Sequence, residues 1–202
     1  MKEFQFPKHN PHCEVVLASA SPRRRDLLRE MGVRFTVLIS EADERLPEGI
    51  RPCEAVELLA RRKGEAVSAE LAGDSRPILA ADTLVALGER ALGKPHDEAE
   101  AAEMLRALSG RTHEVHTGVA VYCRGRVFSG VATTEVLFRK LSEEEISAYI
   151  ATGEPMDKAG AYGIQGKGGA LVAQIAGEFD NVVGLPCRLA DELLCRATEE
   201  DI

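Results

Sequence analysis

Residues 15–31 constrain the fold of this chain more than any other stretch. Residues 15–17 are apolar and typical of a buried strand, and small residues follow them. Ser21 and Pro22 then predict a helix start, because a serine hydroxyl accepts from a free backbone N–H and proline suits the first helical position. Gly32 is expected to end that helix. The sequence therefore predicts a strand that leads into a helix whose free N–H groups point outward and attract anions.

Three arginines occupy the first turn of this predicted helix. Arg23, Arg24 and Arg25 oppose the helix dipole there, at a cost of about 0.3–1 kcal/mol for each exposed cation. An arginine fork holds two phosphate oxygens at once, so a bound phosphate would offset the repulsion. The alternative is that the arginines are solvated, or that they pair with Asp26, with Glu30 or with carboxylates elsewhere in the chain.

Composition limits the classes of function. The formal net charge of the 202-residue chain is -8, which argues against a broad nucleic-acid-binding surface. The five cysteines are scattered, form no CxxC pair and indicate reduced thiols. The N-terminus has no apolar signal region, and no run approaches the roughly 18 apolar residues of a membrane span. We therefore expect a cytoplasmic protein without a nucleic-acid or membrane partner.

Strands and helices alternate irregularly along the chain, with hairpins among them. The expected strands cover residues 34–39, 78–87, 113–123, 127–138 and 170–177. The expected helices cover residues 52–71 and 97–108, and a capping box at Asp97 and Glu100 begins the second of them. A further helix is expected to begin at a capping box of Ser142 and Glu145, and a C-terminal helix is expected to start at Pro186. This pattern predicts an α/β fold with a mixed sheet and flanking helices.

Asp82 is the only charged residue in the apolar run 78–87. An isolated buried charge is costly, so this carboxylate is expected to face a partner, a metal ion or a cleft. The alternative is that it caps a turn or pairs with a buried arginine. Lys94 follows a predicted hairpin turn that returns toward Asp82. Lys63 lies among polar residues of the helix 52–71, and from that pattern alone we interpret it as a surface residue.

His113 and His116 are three residues apart in a predicted strand, which places them on opposite faces. A joint metal site is not expected, and both are interpreted as polar residues at an edge of the sheet. Residues 156–172 are rich in glycine and carry the charged pair Asp157 and Lys158, which is compatible with a loop that lines a ligand site.

Six segments together resemble the Maf family of nucleoside triphosphate pyrophosphatases. They are LASASPRRRDLL (17–28), ADTLV (81–85), GKP (93–95), LSGRTHEVHTGV (108–119), GEPMDKAGAYGIQG (153–166) and VVGLP (182–186). The resemblance implies a fold similar to that of the inosine triphosphatases, with two lobes around a deep cleft. It also implies one Maf-like catalytic domain at residues 15–202, preceded by an N-terminal extension at residues 1–14.

The resemblance implies an enzyme that cleaves a nucleoside triphosphate between the α and β phosphates and depends on Mg²⁺ or Mn²⁺. The GIQG segment is similar to the branch that acts on dTTP and UTP, and a homodimer is a family-level expectation. Two alternatives stay open at this point. One is a house-cleaning pyrophosphatase for non-standard nucleotides such as 7-methyl-GTP, and the other is a nucleotide-sensing regulator of septum formation and cell division.

The resemblance also implies roles for individual residues. Asp82 matches the proton acceptor, and Glu44 matches an acidic loop residue that would hold the metal ion together with Asp82. The implied catalytic residues are Asp82, Arg23 and Lys94, and the implied substrate-binding residues are Ser21, Arg24, Lys63, Thr83 and Gln165. The amide of Gln165 both donates and accepts, which suits the edge of thymine or uracil.

Overall fold

The described part of the chain, residues 14–199 of a computed structural model, contains one mixed sheet with helices on both faces. Its strands are β1 (Val15–Leu17), β2 (Phe35–Val37), β3 (Ile78–Leu87), β4 (Arg90–Leu92), β5 (Thr112–Cys123), β6 (Arg126–Phe138) and β7 (Val172–Ala176). Its α-helices are α1 (Pro22–Glu30), α2 (Pro52–Glu70), α3 (Glu98–Leu108), α4 (Glu143–Ile150), α5 (Phe179–Val183) and α6 (Cys187–Thr198). Short 3₁₀ helices cover Glu154–Asp157, Ala159–Ala161 and Lys167–Leu171. Except for Glu14, the expected N-terminal extension lies outside the described residues.

The sheet combines parallel and antiparallel pairing. The strand order is β2-β1-β3-β5-β6-β7, and β4 pairs with β3. β1 is parallel to both β2 and β3, while the remaining pairs are antiparallel. Parallel neighbours need a crossover connection, which α1 supplies between β1 and β2 and α2 supplies between β2 and β3. The prediction of a mixed α/β sheet is confirmed.

One edge of β3 lacks a neighbouring strand over part of its length. β1 pairs with β3 only as far as Leu79, and β4 begins its pairing with β3 at Val85. Within the described residues, the stretch between these two positions is therefore an opening in the sheet. Asp82 and Thr83 lie in that opening, and successive strand residues point to opposite faces. The two side chains therefore face opposite layers of helices.

The helical layers pack closely on the sheet. α2 covers one face, and α1 and α6 cover the other. On the α2 side, a Cβ added to Gly118 would lie 2.3 Å from the carbonyl oxygen of Val56, so only glycine fits there. This close approach brings the side chain of Lys63, on α2, to β3. Among the helices within residues 14–199, none combines the length and apolar character that a bilayer crossing requires.

Two large hydrophobic clusters divide β3 between them. The first contains Leu79 and Ala81 and packs with α1 and α6. The second contains Val85 and packs with α3 and α4. Asp82 lies between the two clusters along the strand, at the opening described above. The prediction of two lobes around a cleft is confirmed.

Two helix starts follow the predicted capping pattern to different degrees. Ser142 and Glu145 form a complete capping box, with each side chain accepting from the other residue's backbone N–H. Asp97 caps α3 and accepts from the backbone N–H of Glu100. The carboxylate of Glu100, however, accepts from the backbone N–H of His96 and not from that of Asp97.

The interpretation of His113 and His116 as edge residues is wrong. Both lie on β5, which has β3 on one side and β6 on the other, and their exposed fractions are 2% and 6%. The His113 ring packs edge-on against Phe138 and Tyr162, and its Nε2 lies 2.9 Å from the Tyr162 hydroxyl. Local sequence does not reveal that β3 pairs with β5 on the side opposite to β6.

Acid is expected to destabilise the protein through His113. Burial lowers the pKa of His113 to about 4, whereas an unfolded histidine takes up its proton near pH 6.5. Between these values the unfolded state binds more protons, so the free energy of unfolding falls as the pH falls. Between pH 7 and pH 5, His113 is expected to lower the free energy of unfolding by about 2 kcal/mol. Urea titration at the two pH values measures this change.

Between pH 7 and pH 5, the free energy of unfolding of His113→Gln should fall by about 2 kcal/mol less than that of the wild type. His96→Gln, at an exposed position, is the matched control and should keep the wild-type pH dependence. Identical pH dependence in both variants and the wild type would contradict this assignment.

Candidate active site

A cleft of about 940 Å³ opens at the gap beside β3. Its volume lies within the usual range for a small-molecule site. All the candidate site residues from the sequence line it: Ser21, Arg23, Arg24, Glu44, Lys63, Asp82, Thr83, Lys94 and Gln165. Residues that are far apart in the sequence therefore share one cavity.

The start of α1 contributes the first cation-rich wall of the cleft. Ser21 is the N-cap, and its hydroxyl accepts from the backbone N–H of Arg24 at 3.5 Å. Arg23 and Arg24 line the cleft, whereas the guanidinium of Arg25 donates to the carbonyl of Ala20. Asp26 pairs with Arg29 and not with these arginines, whereas Arg23 does pair with a carboxylate elsewhere in the chain, that of Asp157, at 3.5 Å.

Three hydrogen bonds fix the guanidinium of Arg24. It donates to the carbonyl of Gly184 at 2.8 Å, to the Ser19 hydroxyl at 3.0 Å and to the Thr83 hydroxyl at 3.1 Å. Burial lowers the pKa of Arg24 from its usual value, and the charge of Asp82 acts in the opposite direction. An arginine remains protonated in proteins, so this wall carries a fixed, oriented positive charge.

On the other face of β3, Lys63 joins two carboxylates. Its Nζ lies 2.5 Å from Oδ1 of Asp82 and 2.7 Å from Oε1 of Glu44. The side chain of Lys63 is only 16% exposed, so the interpretation of Lys63 as a surface residue is wrong. The partner of Asp82 is thus a lysine from α2 and not the buried arginine or turn that the sequence left open.

The charges at this end of the cleft act on one another. The hydrogen bond from Lys63 is the main cause that holds the pKa of Glu44 below its usual value, and the charges of Lys63, Lys94 and Arg24 lower it further. Glu44 is therefore ionised at neutral pH. Lys94 follows β4, and it lines the same cavity as Asp82, as the hairpin predicted.

The donor set suits a hard divalent cation that arrives with phosphate groups. Within residues 14–199 no group of three His, Cys, Asp or Glu side chains could hold a metal ion by itself. Glu44 and Asp82 each direct one carboxylate oxygen at the ammonium of Lys63, and each has a second carboxylate oxygen that could bind a metal ion. Mg²⁺ is often held by one or two carboxylates, with waters and substrate phosphates as its remaining ligands. The two residues therefore fit Mg²⁺ or Mn²⁺.

Comparison with known proteins identifies the family of this chain. The family described as "Maf-like protein" matches residues 14–197. The chain belongs to the Maf family. This Maf chain is also similar to three curated relatives that are named dTTP/UTP pyrophosphatase.

The similarity to these relatives extends over most of each chain. The Moorella thermoacetica protein is 54% identical over 183 residues, which cover 90% of this chain and 93% of the relative. The Pelotomaculum thermopropionicum protein is 50% identical, covering 89% of this chain and 95% of the relative. A Bacillus cereus protein is 49% identical, covering 89% and 94%. The resemblance seen in the sequence is confirmed.

In this Maf chain, residues 154–158 form a further wall of the cleft, with charged residues to which the sequence gave no individual role. Lys158 is 16% exposed, and its Nζ donates to Oδ1 of Asp157 at 2.6 Å and to the carbonyl of Glu154 at 2.8 Å. Asp157 also pairs with Arg23, at 3.5 Å. All three residues of this wall line the cleft. The sequence signal for this wall was the charged pair Asp157 and Lys158 inside the glycine-rich stretch 156–172.

The glycine-rich stretch contains more regular secondary structure than the predicted loop. It contains three 3₁₀ helices, and Gln165 lies in the turn between the second and third of them. Gln165 is exposed and lines the cleft, on the same wall as Lys158. The cleft therefore has a cationic region near Asp82 and an amide-bearing wall formed by residues 163–166.

Proposed function

We propose that this Maf chain is a nucleoside triphosphate pyrophosphatase that hydrolyses dTTP and UTP to the monophosphate and pyrophosphate. The names of relatives about 50% identical to it support this assignment. The single observation that carries it is that four cations from three separate segments of the chain line the same cleft as Asp82 and Glu44. The cations are Arg23, Arg24, Lys63 and Lys94. A triphosphate tail carries the negative charge that such a set of cations attracts.

The chemistry assigns a separate task to each part of the site. Water attacks the α-phosphorus, and Asp82 accepts the proton that the water loses. The new bond joins the water oxygen to the α-phosphorus, and the bond from that phosphorus to the bridging oxygen breaks, so pyrophosphate leaves. The arginines and lysines neutralise charge on the phosphate oxygens, which is where preorganised cations lower the barrier.

Glu44 and Asp82 are the residues that would hold the divalent cation. When bound, Mg²⁺ or Mn²⁺ supplies neutralisation of phosphate charge and lowers the pKa of a bound water. This matters because a free aspartate, with a pKa of about 3.9, is a weak base at neutral pH. Lys63 contacts both carboxylates and holds them in place, and its hydrogen bond lowers the pKa of Glu44.

Removing the divalent cation with a chelator is expected to abolish turnover, and adding Mg²⁺ or Mn²⁺ should restore it. The variant Glu44→Gln should raise the Mg²⁺ concentration for half-maximal activity by about tenfold, because one anionic oxygen ligand is lost. Glu41→Gln, in the same exposed acidic segment, is the matched control and should leave that concentration unchanged. An unaltered Mg²⁺ dependence in Glu44→Gln would remove Glu44 from the metal site.

We further propose that Gln165 and nearby backbone groups read the edge of thymine or uracil. A glutamine amide offers both a donor and an acceptor, which is the alternation those bases present. The position of Gln165 on the wall formed by residues 163–166 supports this role. The base would then lie at that wall while the triphosphate extends toward Asp82.

A panel of nucleoside triphosphates with Mg²⁺ or Mn²⁺, read by pyrophosphate release, tests the proposed function. The expected result is the highest kcat/KM for dTTP and UTP. A preference for 7-methyl-GTP would favour the house-cleaning alternative. Tight nucleotide binding without any pyrophosphate release would favour a nucleotide sensor.

We also propose a cytoplasmic location and a homodimeric state. The cysteines of the described residues, Cys53, Cys123, Cys187 and Cys195, are free thiols, as a reducing compartment favours. Burial raises the pKa of Cys123 and of Cys187, so both thiols stay protonated. The dimer remains a prediction, and sedimentation of the purified chain would measure it.

A further inference from the structure

The carboxylate of Glu154 accepts three hydrogen bonds, two of them from backbone N–H groups that follow Gln165 in the chain. Its Oε1 accepts from the Tyr149 hydroxyl at 2.9 Å and from the backbone N–H of Gly168 at 3.1 Å. Its Oε2 accepts from the backbone N–H of Lys167 at 3.0 Å. Both carboxylate oxygens are therefore engaged by groups of the chain itself.

Tyr149 completes the same arrangement from the other end of the segment. Its hydroxyl donates to Glu154 and accepts from the backbone N–H of Gly163 at 3.1 Å. Tyr149 projects from α4 and is 5% exposed, so packing fixes its ring. One phenol and one carboxylate thus hold residue 163 at one end and residues 167 and 168 at the other. Gln165 lies between these two ends.

The glycines of this segment allow the contact to form. A Cβ added to Gly166 would lie 2.5 Å from either oxygen of the Glu154 carboxylate. A Cβ added to Gly168 would lie 2.5 Å from the Tyr149 hydroxyl and 2.7 Å from the carbonyl oxygen of Gly163. Side chains at these positions would displace the carboxylate or the hydroxyl. Glycine at positions 166 and 168 therefore leaves the space that the side chains of Glu154 and Tyr149 occupy.

We propose that Glu154 and Tyr149 are positioning residues for base selection, because they hold residues 163–168 in the conformation that presents Gln165 to the base. This inference rests on the proposed function, in which Gln165 reads the pyrimidine edge. It assigns discrimination between bases to a pair of residues that act through the backbone. The phosphate end of the cleft is held by other contacts, those of Arg24 and Lys63.

The variant Glu154→Gln tests the inference with UTP and CTP, whose bases differ at the edge that Gln165 would read. Glutamine has one side-chain oxygen, so its amide N–H groups would face a backbone N–H of Lys167 or Gly168. We expect the UTP:CTP ratio of kcat/KM to fall about tenfold, mainly through a higher KM for UTP. Inhibition by tripolyphosphate, which has no base, should stay within about twofold of the wild type because the cations are undisturbed.

Glu143→Gln is the matched control, since it makes the same change at an exposed residue of α4 that pairs with Arg106. This control should keep the wild-type ratio. If Glu154→Gln does not fold, Tyr149→Phe decides the matter: it removes one hydroxyl, and a fall of about threefold in the ratio is expected. An unchanged ratio in the folded variant overturns the inference.

The outcomes also separate this inference from the proposed function. A wild-type enzyme that shows no preference for UTP over CTP contradicts the proposed function itself. A wild-type preference that persists in Glu154→Gln contradicts only the positioning role. Equal losses of UTP turnover, CTP turnover and tripolyphosphate binding would indicate general damage to the fold, and they too would overturn the positioning role.

Discussion

Replacing Asp82 with asparagine is expected to lower kcat for dTTP hydrolysis by about a thousandfold, with Mg²⁺ or Mn²⁺ at saturation. The asparagine amide cannot take a proton from the attacking water. It also removes one of the two carboxylates that share the ammonium of Lys63. Steady-state pyrophosphate release measures the effect.

Asp26→Asn is the matched control for this experiment. Asp26 is exposed on α1, where it pairs with Arg29 away from the cleft. Its variant should retain wild-type kcat and KM. Near-normal turnover of Asp82→Asn at saturating metal would show that another group accepts the proton.

The variant Arg24→Lys should lower kcat/KM for dTTP by about a hundredfold, because small displacements of a positioning cation have effects of that size. Lysine keeps the charge but loses the planar fork that reaches Gly184, Ser19 and Thr83 together. The cation would then lose its fixed orientation toward the phosphates. Kinetics with dTTP and a melting curve, measured on the same preparation, separate this loss from unfolding.

Arg29→Lys makes the same substitution on the same helix at an exposed position. It should leave kcat/KM within about twofold of the wild type, as expected for a surface substitution. If Arg24→Lys behaved like Arg29→Lys, the charge at position 24 would suffice and the fork would have no role.

Local sequence signals predict the elements well where those signals are strong. The apolar run 78–87 has the bounds of β3, and Ser21 caps α1 as its hydroxyl and the following proline indicate. The strand and capping patterns depend on neighbours within a few residues. They are therefore visible in one sequence without any knowledge of the tertiary packing.

Long-range contacts explain what local patterns could not reveal. Lys63 has the sequence surroundings of a solvent-facing lysine, and only the packing of α2 on β3 joins it to Asp82, 19 residues away. The family resemblance brought Lys63 into the site where the helical pattern did not. The interpretation of His113 as an edge residue was wrong for a related reason. The neighbours of β5 depend on the order of the whole sheet, which local sequence does not reveal.

The wall of the cleft that contains Lys158 and Glu154 was the part that sequence reasoning predicted least well. Lys158 lies in the glycine-rich stretch 156–172 and Glu154 lies just before it, and the glycines indicate a loop but do not specify its conformation. Their roles depend on contacts with Asp157, Tyr149 and the backbone of residues 163–168. These contacts join several short 3₁₀ helices, for which periodicity gives little signal.

The position of bond cleavage tests the central claim most directly. Hydrolysis of dTTP in water enriched in a heavy oxygen isotope, followed by mass spectrometry of both products, locates the phosphorus that water attacks. Attack at the α-phosphorus, with Asp82 as proton acceptor, predicts that dTMP carries the label and pyrophosphate carries none. Label in pyrophosphate, or release of orthophosphate and dTDP instead, would contradict the account.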